Sequence, residues 1–172
     1  MSREEITASV EQSLLAQFNA ETETDQNVEK YLTFIVDEQL YTVPSNQVIE
    51  IIGMQPVTYM PGVAEFIKGV INIRGKVVPL IELQKRLRNT SSEYTRDTCI
   101  VVIDMGDYYV GFIVDKVCDV TDVAESEISP APKVSKKDKD HDFVSAIARC
   151  EKSVAMILDC TKVLGVKKDQ AE

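Results

Sequence analysis

The sequence predicts an all-β protein built as two small barrels, and three observations carry that expectation. About ten short runs rich in Val and Ile recur along the chain, separated by breaks containing Gly, Asp or Pro. Aromatic residues make up only 6% of the chain and Trp is absent, so the core must come from Val, Ile and Leu, which favour strands. Residues 66–80, FIKGVINIRGKVVPL, are two apolar runs around the polar knot Asn72, Ile73, Arg74, Gly75 and Lys76. That pattern reads as a hairpin closed by a tight turn.

The elements follow in order. In residues 3–20, Ile6, Val10, Leu14 and Phe18 recur every four residues and form one apolar stripe on a short N-terminal helix. Such a stripe packs on its own domain, binds a partner or second copy, or belongs to a disordered tail. Residues 21–28, ETETDQNV, have nothing to bury and form an acidic linker. From Lys30 the period falls to two: residues 31–36 and 39–43 are strands about an Asp37–Glu38 turn, and 48–52 follow a turn at Pro44 and Ser45. Strands at 66–73 and 76–80 form the hairpin above, and Pro79 predicts a sheet edge or strand end. Residues 81–87 read as one or two helical turns, and 88–97, RNTSSEYTRD, as a surface loop. Three further strands, at 98–105, 108–114 and 117–122, are separated by turns at Gly106–Asp107 and Asp115–Lys116. A charge-dense loop over 129–142 leads to a last hairpin, 143–149 and 153–158. A helix over 159–164 stops at Gly165, a residue suited to the left-handed position after a helix. No fixed-period repeat is present, yet the two halves share a rhythm of strand, hairpin, strand and Gly.

A chain of 172 residues suits one domain or two lobes sharing a core. At this size about 68–70% of the unfolded surface is buried, so no disulfide or metal staple is needed. The formal charge is −9, and residues 1–30 alone carry seven acids against two bases. An acidic balance without a basic stripe argues against nucleic acid. Cys99, Cys118, Cys150 and Cys160 form no CxxC pair and read as reduced thiols. The N-terminus lacks a basic segment followed by an apolar one, and no apolar run approaches about 18 residues, so a cytoplasmic protein without direct membrane insertion is expected.

Catalytic constellations are missing. Gly69–Lys76 superficially resembles a phosphate loop, but five residues separate Gly69 from Gly75 and Val77 stands where Ser or Thr would hold magnesium. His141 is the only histidine, and Lys136, Lys137 and Lys139 neutralise its neighbours Asp138, Asp140 and Asp142. Asp115, Asp119 and Asp122 lack calcium-loop spacing. Glu50, by contrast, is a charge inside the apolar strand VIEII, and Arg74 is its natural counter-ion. The pair either fixes the barrel or sets a charged contact in an apolar docking face, and both roles are compatible.

The order of YLTFIVDEQLYTVPSNQVIEII, PVTYMPGVAEFIKGVINIRGKVVPLIEL, TCIVVIDMGDYYVGFIVDKVCDV and ISPAP resembles the CheW family of chemotaxis coupling proteins. The resemblance implies two interlocked SH3-like five-stranded barrels over residues 29–166, flanked by an acidic extension, 1–28, and a tail, 167–172. It implies a non-enzymatic adaptor, without cofactors, joining the regulatory domain of the histidine kinase CheA to the cytoplasmic tips of methyl-accepting chemoreceptors in membrane-associated arrays. By the same resemblance Val48 and Glu50 match a receptor-contact strand, Val57 and Thr58 a neighbouring stretch, and Gly69, Asn72, Arg74 and Gly75 a turn sensitive for coupling. The N-terminal segment is longer than a minimal coupling domain needs. Alternatives are the coupling domain of a CheV-type regulator or of a kinase, and, in a different class, a small ligand-binding barrel or enzyme. A receiver-like βα pattern is not evident, which favours a standalone adaptor.

Overall fold

The computed structural model describes residues 27–131, 143–150 and 153–165. The expected helix over 3–20, His141 and the tail over 167–172 lie outside the described residues. Eleven strands are present among them: β1 Val28–Val36, β2 Gln39–Pro44, β3 Val48–Gly53, β4 Ile67–Ile73, β5 Lys76–Glu82, β6 Cys99–Asp104, β7 Tyr109–Val114, β8 Lys116–Ala124, β9 Ile128–Pro130, β10 Val144–Cys150 and β11 Ser153–Leu158. One short helix, α1, spans Cys160–Leu164. Asp159 accepts N–H bonds from Thr161 and Lys162 at its start, and Gly165, at φ 80°, ends it as expected. The all-β expectation holds.

The strands form two sheets, ordered β8-β1-β2-β11-β10-β9 and β3-β6-β7-β5-β4. Each contains an antiparallel trio joined through one parallel pair, β2 with β11 or β7 with β5, to an antiparallel hairpin. β9 on β10 in the first lobe corresponds to an isolated bridge, Thr58 to Val70, on β4 in the second. The two hairpins β1–β2 and β6–β7 therefore sit reciprocally: each completes the sheet whose remaining strands come from the other half of the chain. Grouping strands by sequence halves, as the shared rhythm invites, misplaces both hairpins.

Four further corrections have physical causes. Residues 128–130 pair as β9, making the first sheet six-stranded rather than five; Pro130, which lacks an N–H, is tolerated there because β9 is an edge. Ile81 and Glu82 continue β5 because Ile81 is buried and pairs with Phe112; a π-helical turn, Gln84–Arg88, follows. Pro79 lies in an interior strand, not at an edge. Its partner Val70 directs both backbone groups away, to Thr58 at 2.9 Å, so no bond from Pro79 is missed on that side. Parallel pairing with β7 begins one residue later, at Leu80. Finally, Asp115 is a crossing between sheets rather than a hairpin turn. Its N–H donates to the Ile35 carbonyl at 3.0 Å, and its carboxylate accepts the Asp37 N–H and the Gln84 amide, both at 2.8 Å.

Alternation of side chains explains the run Cys99–Asp104. Ile100 and Val102 face a core inside the second lobe with Ile71, Val78, Leu80 and Ile113. Val101 and Ile103 face the core between the sheets, with Phe34, Val43, Phe112 and Leu158. A strand buried on both faces needs a continuous apolar run, which is what the sequence contains. A third core inside the first lobe gathers Tyr31, Val123, Ala148, Ala155 and Ile157. Arg86 fastens the lobes together. Its guanidinium carbon lies 4.1 Å from the Phe66 ring and 4.7 Å from the Phe143 ring, and its Nε donates to the Val163 carbonyl of α1 at 2.7 Å.

Candidate functional site

The second lobe has two sheet edges, β3 and β4, and the residues singled out in the sequence gather where those edges meet. The β4–β5 loop is two residues long, Arg74 and Gly75, since Ile73 pairs with Lys76. Both residues have positive φ, 51° and 85°, the twist that a two-residue hairpin requires. Asn72 secures the turn: its Oδ1 accepts the Gly75 N–H at 2.9 Å. The turn thereby holds the Arg74 side chain outward, 79% exposed, with one guanidinium nitrogen 3.3 Å from Glu50 Oε2 on β3. The ion pair expected from sequence exists, and it links the two edges of one sheet.

Behind the turn, the chain connecting β3 to β4 folds back onto β4. Thr58 and Val70 exchange N–H to carbonyl bonds of 2.9 Å in both directions. The contact is close because Gly69 has no side chain. A β-carbon placed there would sit 2.3 Å from the Thr58 carbonyl oxygen and 2.6 Å from Val57 Cγ1, and φ at Gly69 is 152°. Val57 packs partly buried against the second-lobe core, and Val48 against the core between the sheets. The structure thus brings Glu50, Val57, Thr58, Gly69, Asn72, Arg74 and Gly75 together, with Val48 at the start of β3.

The sequence raised an apolar docking face about Glu50 but did not identify the exposed side chains that form it. A register shift between Val48 and Glu50 leaves Ile49 outside the regular pairing of β3 with β6. Ile49 and Ile51 are exposed while Glu50 is half-buried, the reverse of an ordinary amphipathic strand. Tyr59, Met60 and Val63 in the connection, and Val77 after the turn, are exposed as well. The signal was a charge flanked by isoleucines on both sides, which marks a strand whose apolar residues do not all point inward.

A small pocket of about 100 Å³ lies elsewhere, lined by residues including Glu82, Gln84, Ser92, Tyr94 and Asp115. It is below the roughly 300–1,000 Å³ of ordinary small-molecule sites. Its polar groups bond one another: the Gln84 amide donates to Ser92 Oγ and Asp115, and the Tyr94 hydroxyl to Glu82. Among the described residues no cluster of three or more His, Cys, Asp or Glu is arranged to hold a metal, and no helix is long and apolar enough to cross a membrane.

Comparison with known proteins agrees with the fold. The model of the CheW-like domain matches residues 30–168. The chemotaxis protein CheW of Bacillus subtilis is 40% identical over 143 residues, covering 83% of this chain and 91% of that one. The chemotaxis protein CheW of Thermotoga maritima is 28% identical over 136 residues, covering 77% and 85%. The crystal structure of a CheW scaffolding protein from Thermoanaerobacter tengcongensis superposes with a TM-score of 0.74 at 30% identity, covering 82% of this chain and 95% of that one. The chain belongs to the CheW-like family of chemotaxis scaffold proteins.

Proposed function

We propose that this protein couples a chemotaxis histidine kinase to chemoreceptors by binding both, with no chemistry and no cofactor of its own. The receptor's helical hairpin tip lies along the second-lobe margin, its apolar side on Ile49 and Ile51 and its polar side on Arg74. Val48, Glu50, Val57, Thr58, Gly69, Asn72 and Gly75 shape and hold that margin. The kinase regulatory domain pairs with other surfaces of the two lobes. A shift in receptor conformation then reaches the kinase as a shift in population. Such signalling contacts are small and individually weak, and they gain strength by multivalency in arrays at the cytoplasmic side of the membrane.

One observation carries this reading: an exposed cation on a rigid turn beside outward-facing isoleucines, on the edge of a sheet. Apolar surface rimmed by charge is what a partner helix requires. The test is co-purification of the chain with a receptor signalling-tip fragment and a kinase regulatory domain. A ternary complex is expected, and loss of the receptor fragment alone on substitution at Arg74. Failure of the unsubstituted chain to retain either partner overturns the proposal.

A further inference from the structure

The apolar margin has a candidate occupant within the same chain. We propose that the N-terminal stripe Ile6, Val10, Leu14 and Phe18 docks on the exposed face around Ile49 and Ile51, and that receptor must displace it. The inference rests on the receptor-facing reading above and adds a regulatory element to that site.

Three observations converge. The first is position. Val28 begins β1, three residues before Tyr31, and Tyr31 pairs directly with Pro44. Pro44 leads through the short 3-10 turn Ser45–Gln47 into Val48, so the N-terminal segment joins the lobes at the same end as the start of β3. A linker over 21–27 spans up to about 25 Å when extended, enough to reach that strand. The second is length. From Ile6 to Phe18 a helix rises about 18 Å, against about 20 Å for the six residues of β3.

The third is charge. Residues 1–30 carry a net −5 from seven acids and two bases. Residues 45–77 carry Lys68, Arg74 and Lys76 against Glu50 and Glu65, a net +1 within a chain of −9. Glu50 is already paired with Arg74. An acidic amphipathic segment therefore meets an apolar face in a stretch that is slightly positive within an acidic chain, with the 79% exposed Arg74 guanidinium at its margin. The hydrophobic term is favourable and the local net charge does not oppose it. A short tether also places the segment at an effective concentration on the order of millimolar, which favours its own chain over a second copy.

The test uses the full chain and Leu14→Asp, a substitution outside both sheets. Isoleucine δ1 methyl signals report the face directly. Those of Ile49 and Ile51 are expected to shift in Leu14→Asp, and to shift back when a peptide of residues 1–26 is added. Unchanged signals overturn the docking. If the docked form holds nine-tenths of the molecules, Leu14→Asp binds a receptor-tip fragment about tenfold more tightly. Equal affinity of the two chains, with the methyl shifts present, overturns the competition while the scaffold reading stands. Failure of both chains to bind the fragment counts against the scaffold reading, and the methyl signals still decide the docking. Sedimentation showing a dimer in the full chain that Leu14→Asp abolishes would assign the stripe to self-association and sink the intramolecular proposal.

Discussion

Gly69→Ala tests the architecture of the candidate site most directly. The added carbon would lie 2.3 Å from the Thr58 carbonyl oxygen, well inside contact distance, and the colliding atom is backbone rather than the free end of a side chain. Relief requires either moving residues 57–59 off β4, breaking two 2.9 Å hydrogen bonds between Thr58 and Val70, or moving β4 itself. An alanine at this positive φ costs about 1–3 kcal/mol in backbone strain, and overpacking adds about 1–3 kcal/mol. At about 2–4 °C per kcal/mol for a protein of this size, the melting temperature falls by roughly 4–24 °C. The assay is thermal unfolding followed by circular dichroism, with amide hydrogen exchange at Thr58 and Val70. Faster exchange at those two amides than in β6 is expected, because damage is confined to the margin. Unfolding and exchange indistinguishable from the unsubstituted chain would refute the reasoning that the missing side chain creates the contact.

Arg74→Asp removes the cation at a position whose positive φ Asp tolerates. Because exposed pairs contribute only about 0–1 kcal/mol, it leaves a cooperatively folded protein whose retention of a receptor fragment drops sharply in pull-down; undiminished retention counts against the receptor-facing margin. Gly111→Ala places a carbon 2.5 Å from Leu80 Cδ2 and 2.8 Å from Ile100 Cγ2, both on fully buried residues, and lowers stability in urea by about 1–3 kcal/mol. No change in the urea midpoint would mean the second-lobe core yields freely. Burial, reinforced by the nearby Asp159 charge, pushes the Cys160 thiol up from 9.0 to about 12. The folded state then holds this proton more tightly than the unfolded one, so the contribution is complete below pH 9 and is lost as pH rises from 9 toward 12. Urea midpoints at successive alkaline pH values should fall in the parent and less steeply in Cys160→Ala, where Tyr31, Cys99 and Cys118, also raised by desolvation, keep a residual slope; identical slopes would refute the assignment.

Strand positions were legible because period-two patterning and turn residues are local signals, and most observed boundaries lie within two residues of those expected. The Glu50–Arg74 pair was legible for a different reason: a charge in an apolar strand needs a partner, and few bases are near. What escaped were features set by distant strands. Gly111 is required only because Leu80 and Ile100 converge on it from β5 and β6. Arg86 reads as an ordinary basic residue until Phe66, Phe143 and the end of α1 are assembled around it. A missing N–H makes Pro79 read as an edge or strand-end residue, but Thr58, twenty-one residues earlier, takes the bonds of Val70 and removes the need for one from Pro79 on the β4 side.

The reciprocal placement of β1–β2 and β6–β7 bears on what happens if the backbone is cut. A protease nicking the exposed 89–97 connection would free two fragments, each lacking a hairpin of its own sheet and holding one that its neighbour lacks. Neither piece could close alone, so the nicked molecule should stay clasped and melt as a unit. Strain applied at one rim of such an object has no independent lobe in which to dissipate.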